Sequence, residues 1–142
     1  MTPRRFRRVL VGWDGSASAE DALSAAASIA GADGGHVVAL AVLTAAPNNE
    51  AADDQENERA EIRRLAEAHF DRARQALPGG LRTSLHIVED RQAARVVCDY
   101  AAEHGFDLLV VGRHGDGGAL HPRLGRVAET AARACAIPVL LL

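Results

Sequence analysis

Four short runs along the chain carry no polar residue at all: Val9-Leu10-Val11, Val37 to Leu43, Leu108 to Val111 and Val139 to Leu142. Runs of this length without polar interruption predict strands covered on both faces. A fifth segment alternates, with Thr83, Leu85 and Ile87 between Ser84 and His86, which predicts a strand with one wet face at a sheet edge. Between the strands, apolar residues return every three or four positions, the helical period. The first such stretch follows Ser16 or Ser18, either of which can cap it. It places Leu23, Ala26, Ala27 and Ala30 on one face and is expected to stop at Gly31 in a left-handed end. The second runs from about Gln55 to Leu77 with Ile62, Ala66, Phe70, Ala73 and Leu77 inward, and ends at Pro78-Gly79-Gly80. The third spans Gln92 to His104 with Ala94, Val97, Cys98 and Ala101 inward, and stops at Gly105. The fourth starts near Val127, with Ala131 and Ala134 on the same side.

Strict alternation of strand and helix calls for a parallel sheet with helices on both faces. The expected architecture is α/β: an open five-stranded parallel sheet, doubly wound and Rossmann-like, in strand order 3-2-1-4-5. Residues 1–142 are expected to form a single domain. The polar stretch from Ala45 to Asp54 reads as a loop rather than a linker, since no second core follows it. Ligands of such sheets bind at the carboxyl ends of the strands, where the strand order reverses. That rule brings the turn Gly12 to Ser16 beside the loop Gly112 to Gly125. Four glycines lie within Gly112 to Gly118, more than a turn needs, although a turn that only closes the sheet is the plainer alternative. A helix opening at Gly125 adds free N–H donors suited to a phosphate. Asp14 reads equally as a turn-former beside the helix start or as a ligand contact.

Composition narrows the chemistry. The 142 residues carry a net charge of −3, and all 16 basic residues are arginine, so mechanisms that need lysine are excluded. A Walker loop and a phosphoryl-accepting receiver site fall with them, and Gly12-Trp13-Asp14-Gly15 lacks the dinucleotide spacing. No nucleophile elbow is present, and the six histidines show no metal spacing; His114, among the loop glycines, is the one considered for a ligand contact. Neither a catalytic residue nor a metal ligand is therefore assigned, and any hydrolysis is expected to be slow. Charge gives no reason to expect nucleic acid; Arg4 to Arg8 reads as a solvated lead-in, with a nucleic-acid arm as its alternative. No run is long enough to span a bilayer and Met1 to Arg8 is no secretory signal, so a cytoplasmic protein without membrane contact is expected. Cys98 and Cys135 fall in helical apolar stripes and are expected to be buried, inert thiols.

Three motifs together resemble the universal stress protein family over essentially the whole chain. Gly112-x2-Gly115-x9-Gly125 is similar to its signature G-x2-G-x9-G-[S/T]. Val11-Gly12-Trp13-Asp14-Gly15-Ser16 resembles its first-strand turn, and Ile137 to Leu141 its last strand. The resemblance implies an adenine nucleotide, ATP first, with any Mg²⁺ carried by the nucleotide. Asp14 and the backbone at Val42 would meet base or ribose, with Gly12 and Trp13 bordering that pocket. Gly112, Arg113 and Gly115 would border sugar and phosphates, and Gly125, Arg126 and Val127 would offer N–H groups to the phosphates. Arg126 stands where the family has serine or threonine; it can pair with phosphate or crowd it. Trp13 can stack on the base or pack as an ordinary aromatic. The apolar strand Val139-Leu142 would invite aggregation as a free edge, so a homodimer through it is expected, as is common in the family. The alternative function is a member that binds no nucleotide and acts through protein contacts.

Overall fold

A computed structural model describes residues 5–32, 34–43, 52–79, 81–90, 92–113 and 125–142. The elements run β1 (Arg8–Gly12), α1 (Ala17–Ala32), β2 (His36–Leu43), α2 (Ala52–Gln75), β3 (Arg82–Glu89), α3 (Ala93–Glu103), β4 (Leu108–Val111), α4 (Arg126–Ala134) and β5 (Val139–Leu141). All pairings are parallel and the sheet order is β3-β2-β1-β4-β5, as the alternation predicts. β1 lies between β2 and β4, so its end and that of β4 open side by side at the switch in strand order.

Alternation along the central strands divides the core in two. Val9, Val11, Val37 and Ala39 face α1 and α2, whereas Leu10, Val38, Leu40 and Leu109 face α3 and α4. Leu10, Leu40 and Leu109 are fully buried, each stabilising the fold by roughly 1.5–3 kcal/mol. α1 meets the sheet through Ala19, Ala22, Ala26 and Ala30 with Leu23 among them, and these short side chains let the helix lie close to the strands. Asp107 extends the β1–β4 pairing ahead of the first strand residues: its Oδ2 accepts the N–H groups of Arg7 (3.1 Å) and Arg8 (2.9 Å).

Four expectations are corrected. Helix α1 does not stop at Gly31; it continues to Ala32, and Gly34 takes the left-handed conformation (φ 63°). Of the residues expected inward along α2 and just after it, Phe70 alone is buried, with Ala73 and Leu77 partly so; Ile62 is 42% exposed, because the helix meets the core through its C-terminal half. Ala134 is exposed at the end of α4. Cys98 and Cys135 are not separate thiols but are joined as a disulfide, with Cα atoms 5.1 Å apart. They lie 37 residues apart, and only the crossover that seats α3 and α4 on one face of the sheet brings them together. No helix among the described residues is long and apolar enough to cross a membrane.

The β3 edge shows its wet face where expected. Ser84 Oγ lies 3.2 Å from His36 Nε2, and His86 Nδ1 lies 2.7 Å from the Tyr100 hydroxyl. Burial, then the cations Arg8 and Arg82 and the neighbouring His86, hold His36 below its ordinary imidazole value of 6.5. The unfolded chain therefore binds a proton at His36 that the folded chain resists. Above about pH 6.5 this costs nothing, and as pH falls below it stability declines. Urea midpoints measured from about pH 7 to 5 should slope less in His36→Gln than in the parent; equal slopes would remove His36 from the account.

Candidate functional site

The cleft forms where the β1 and β4 ends diverge, and the turn after β1 is built by local hydrogen bonds. Trp13 N–H donates to Leu40 C=O (2.9 Å), carrying the β1–β2 ladder one residue past the strand. Asp14 Oδ1 accepts the Ser16 N–H (2.9 Å), and Ser16 Oγ accepts the Ala19 N–H (3.1 Å), which caps α1. One Asp14 oxygen is thus committed to the turn while the residue stays exposed. Gly15 between them has φ 78°, and a Cβ there would lie 2.9 Å from His69 Nδ1. His69 is held from behind by Glu20, with Nε2 to Oε1 at 3.0 Å.

Trp13 enters the cleft by its position but not by an exposed ring. The residue is 5% exposed, and the indole sits edge-on to His69 and Phe70, with centroids 5.8 and 5.7 Å away. Of the two readings open in the sequence, the packed aromatic describes its surroundings.

The opposite wall is the start of α4. Gly125 is the N-cap and has no side chain to accept a helix N–H. The first intrahelical bond runs from Glu129 N–H to Gly125 C=O (2.9 Å). The N–H groups of Arg126, Val127 and Ala128 therefore have no acceptor within the helix. A serine or aspartate at this position would fill one of them; glycine leaves them to whatever occupies the cleft. Arg126 is exposed and meets no carboxylate among the described residues.

These segments bound a cleft of about 270 Å³. Of the residues assigned from sequence, Gly12, Trp13, Asp14, Val42, Gly112, Gly125, Arg126 and Val127 line it. Arg113 does not. Its backbone instead ties the loop at its base, accepting the Gly125 N–H and donating to Leu142 C=O, both at 2.6 Å. Gly115 and His114 lie outside the described residues. Sequence reasoning missed Ala93 and Val97 of α3, which form an apolar side of the cleft with Leu40 and Val42. Their helical spacing marked Val97 only as core, and nothing in the sequence distinguished a core position from one at the cleft floor.

The lining is mostly apolar, with Asp14 its sole carboxylate and Arg126 its sole cation among the described residues. Such a cleft can take a flat apolar ring against Val42 and Val97, a polar group near Asp14, and an anion at the α4 start. No group of His, Cys, Asp or Glu able to hold a metal ion occurs among the described residues.

Residues 5–142 match the Universal stress protein family. No curated protein matches. Among solved structures, the chain is similar to universal stress protein UspA from Lactobacillus plantarum at 21% identity and TM-score 0.76, over 99% of both chains. It is similar to a universal stress protein in complex with cAMP at 27% identity and TM-score 0.68, over 98% of both. The universal stress protein from Archaeoglobus fulgidus in complex with dAMP is 20% identical, with TM-score 0.63 over 96% of both.

Proposed function

The chain belongs to the universal stress protein family, and on that premise we propose that it binds an adenine nucleotide, ATP first, between the β1 turn and the start of α4. The observation that carries the reading is the bare N-cap: Gly125 leaves the first N–H groups of α4 without a helical acceptor and without a side-chain cap. Two similar proteins were solved with adenine nucleotides, one with cAMP and one with dAMP. In this chain the base lies along Val42 and Val97, the ribose hydroxyls face the free oxygen of Asp14, and the phosphates meet the amides of Arg126 and Val127. The family resemblance assigns Gly115 to the phosphates as well. With one carboxylate among the described residues of the cleft, Mg²⁺ arrives with the nucleotide rather than on a protein site. Binding, not turnover, is the function, and the protein acts as a regulatory or stress-response component in the cytoplasm.

Titration of ATP into nucleotide-stripped protein by calorimetry tests this. Saturable one-site binding is expected; no heat and no competition by AMP would leave a member acting through protein contacts alone. Arg126 decides a finer point. If its guanidinium joins the phosphates, Arg126→Ala weakens ATP by about tenfold, the size of one charge-assisted hydrogen bond, and leaves adenosine unchanged. Tighter ATP binding in that variant would mean that the side chain crowds the phosphate.

The assembly follows from the other edge of the sheet. β5 is an edge strand whose three residues are only half-buried, and Leu142 beside it is 39% exposed. An apolar edge of this kind is best covered by its own copy about a two-fold axis, which makes the functional unit a homodimer. Light scattering at micromolar concentration should return twice the chain mass, and a single-chain mass would overturn it.

A further inference from the structure

The disulfide joins the two helices that share the cleft wall. Cys98 is the residue after Val97, and Val97 lines the cleft. Cys135 caps the C-terminal end of α4, whose first residues, Arg126, Val127 and Ala128, line the same cleft from the other side. α4 is only nine residues long, about 14 Å at the helical rise. Its fully buried side chains are two alanines, Ala128 and Ala131, with Val127 partly buried beside them, so a small apolar footprint holds it against α3 and the sheet. A short helix with so small an apolar footprint belongs to the easily opened parts of a fold. The covalent bridge supplies what the packing lacks.

The two sulfurs differ in access. Cys98 is 7% exposed and packed among Val97, Ala101 and Leu109. Cys135 is only partly buried, at the point where α4 gives way to the turn before β5. An external thiolate reaches Cys135 first.

We propose that Cys98–Cys135 is a thiol–disulfide exchange site, reduced by a small dithiol, through which α4 is released and the nucleotide cleft loosened. The chemistry balances with that one co-reactant. A thiolate of the dithiol attacks Cys135 Sγ, forming a mixed disulfide, and the Cys98 sulfur leaves as a thiolate. The second thiolate of the reagent then attacks its own sulfur of the mixed disulfide, closing the reagent's disulfide and expelling Cys135 as a thiolate. Two electrons pass to the protein sulfurs, and the two protons the reagent gave up end on Cys98 and Cys135. A low-molecular-weight disulfide such as glutathione disulfide reverses the sequence.

With the bridge closed, the α4 amides stay aimed at the phosphates and their ordering is already complete before binding. With it open, that ordering must be met on binding, and affinity falls. The inference rests on the nucleotide reading above, so its test has an arm independent of ligand. Protein is equilibrated with glutathione disulfide or with dithiothreitol, and its state is fixed by alkylation and intact mass. Hydrogen exchange at the helix-bonded amides of α4, from Glu129 to Ala134, is then measured in each state, together with ATP affinity. Reduction is expected to speed exchange at these amides about tenfold and to weaken ATP about tenfold. The double variant Cys98→Ala with Cys135→Ala, which can form neither the bridge nor a mixed disulfide, should match the reduced protein and ignore both reagents. If neither state binds ATP, the nucleotide reading fails and the exchange arm alone decides this one. Equal exchange in the two verified states overturns the proposal, as do two free thiols persisting in glutathione disulfide. Loss of the whole circular-dichroism signal on reduction would overturn it too, in favour of a bridge that only holds the fold.

Discussion

Trp13→Ala is expected to destabilise the protein by about 3–5 kcal/mol, the range for truncating a buried large aromatic. The indole is 5% exposed and lies edge-on to both His69 and Phe70, so its removal empties the junction between the β1 turn and α2. α2 has few other anchors, because Phe70 is its one fully buried residue among those described and Ile62 and Leu65 are exposed at 42% and 55%. The deficit should therefore be concentrated there, and the melting temperature should drop by roughly 10–20 °C for a chain of this size. Thermal and urea denaturation measure it; a loss under about 1 kcal/mol would mean that the ring is not a core element. The same variant separates the two roles open to Trp13. A base stacked on the indole would forfeit about 1–3 kcal/mol of binding, whereas a packed ring leaves the ATP affinity of the folded fraction within about threefold.

The second large effect comes from the end of β4. A Cβ on Gly112 would overlap Ser18 Oγ, lie 2.8 Å from Ser18 Cβ and come within 3.0 Å of the Ser18 backbone carbon. The first turn of α1 passes directly over this glycine, and the hydroxyl can rotate away but the helix backbone cannot. Gly112→Ala should cost about 3 kcal/mol through overpacking. By displacing α1 from the rim that carries Gly12 and Asp14, it should also weaken ATP at least tenfold. Ser18→Gly removes two of the three clashing atoms, so the double variant should recover about half of the lost stability. Additive behaviour in that cycle would show that the two residues do not meet.

How much of this was legible in the sequence differs from element to element. The sheet was readable because runs such as Leu108 to Val111 admit almost no other environment, and all four of those residues are buried. The edge position of β3 followed from the alternation of Thr83, Leu85 and Ile87 with Ser84 and His86. Two sides of the cleft were marked by glycines, since Gly15 needs its positive φ and Gly112 its missing side chain. The third side was not, because Ala93 and Val97 of α3 look like any other inward positions until the register of α3 over the sheet is known. The same gap hid the disulfide: nothing in a spacing of 37 residues says that two helices run side by side. Gly31 misled because a glycine after an apolar stripe reads as a stop, and the left-handed residue was the next glycine, Gly34.

One residue has two neighbours that otherwise have nothing to do with each other. The amide of Arg113 is spent on Leu142 and its carbonyl on Gly125, so the β5 edge of the sheet and the α4 end of the cleft are hitched to the two peptide planes that meet at one α-carbon. Turning one plane to suit its side shifts the other. If subunit pairing at the outer strand and nucleotide occupancy both bias these planes, thermodynamic linkage demands symmetry: whatever factor ATP adds to association, association must return to ATP.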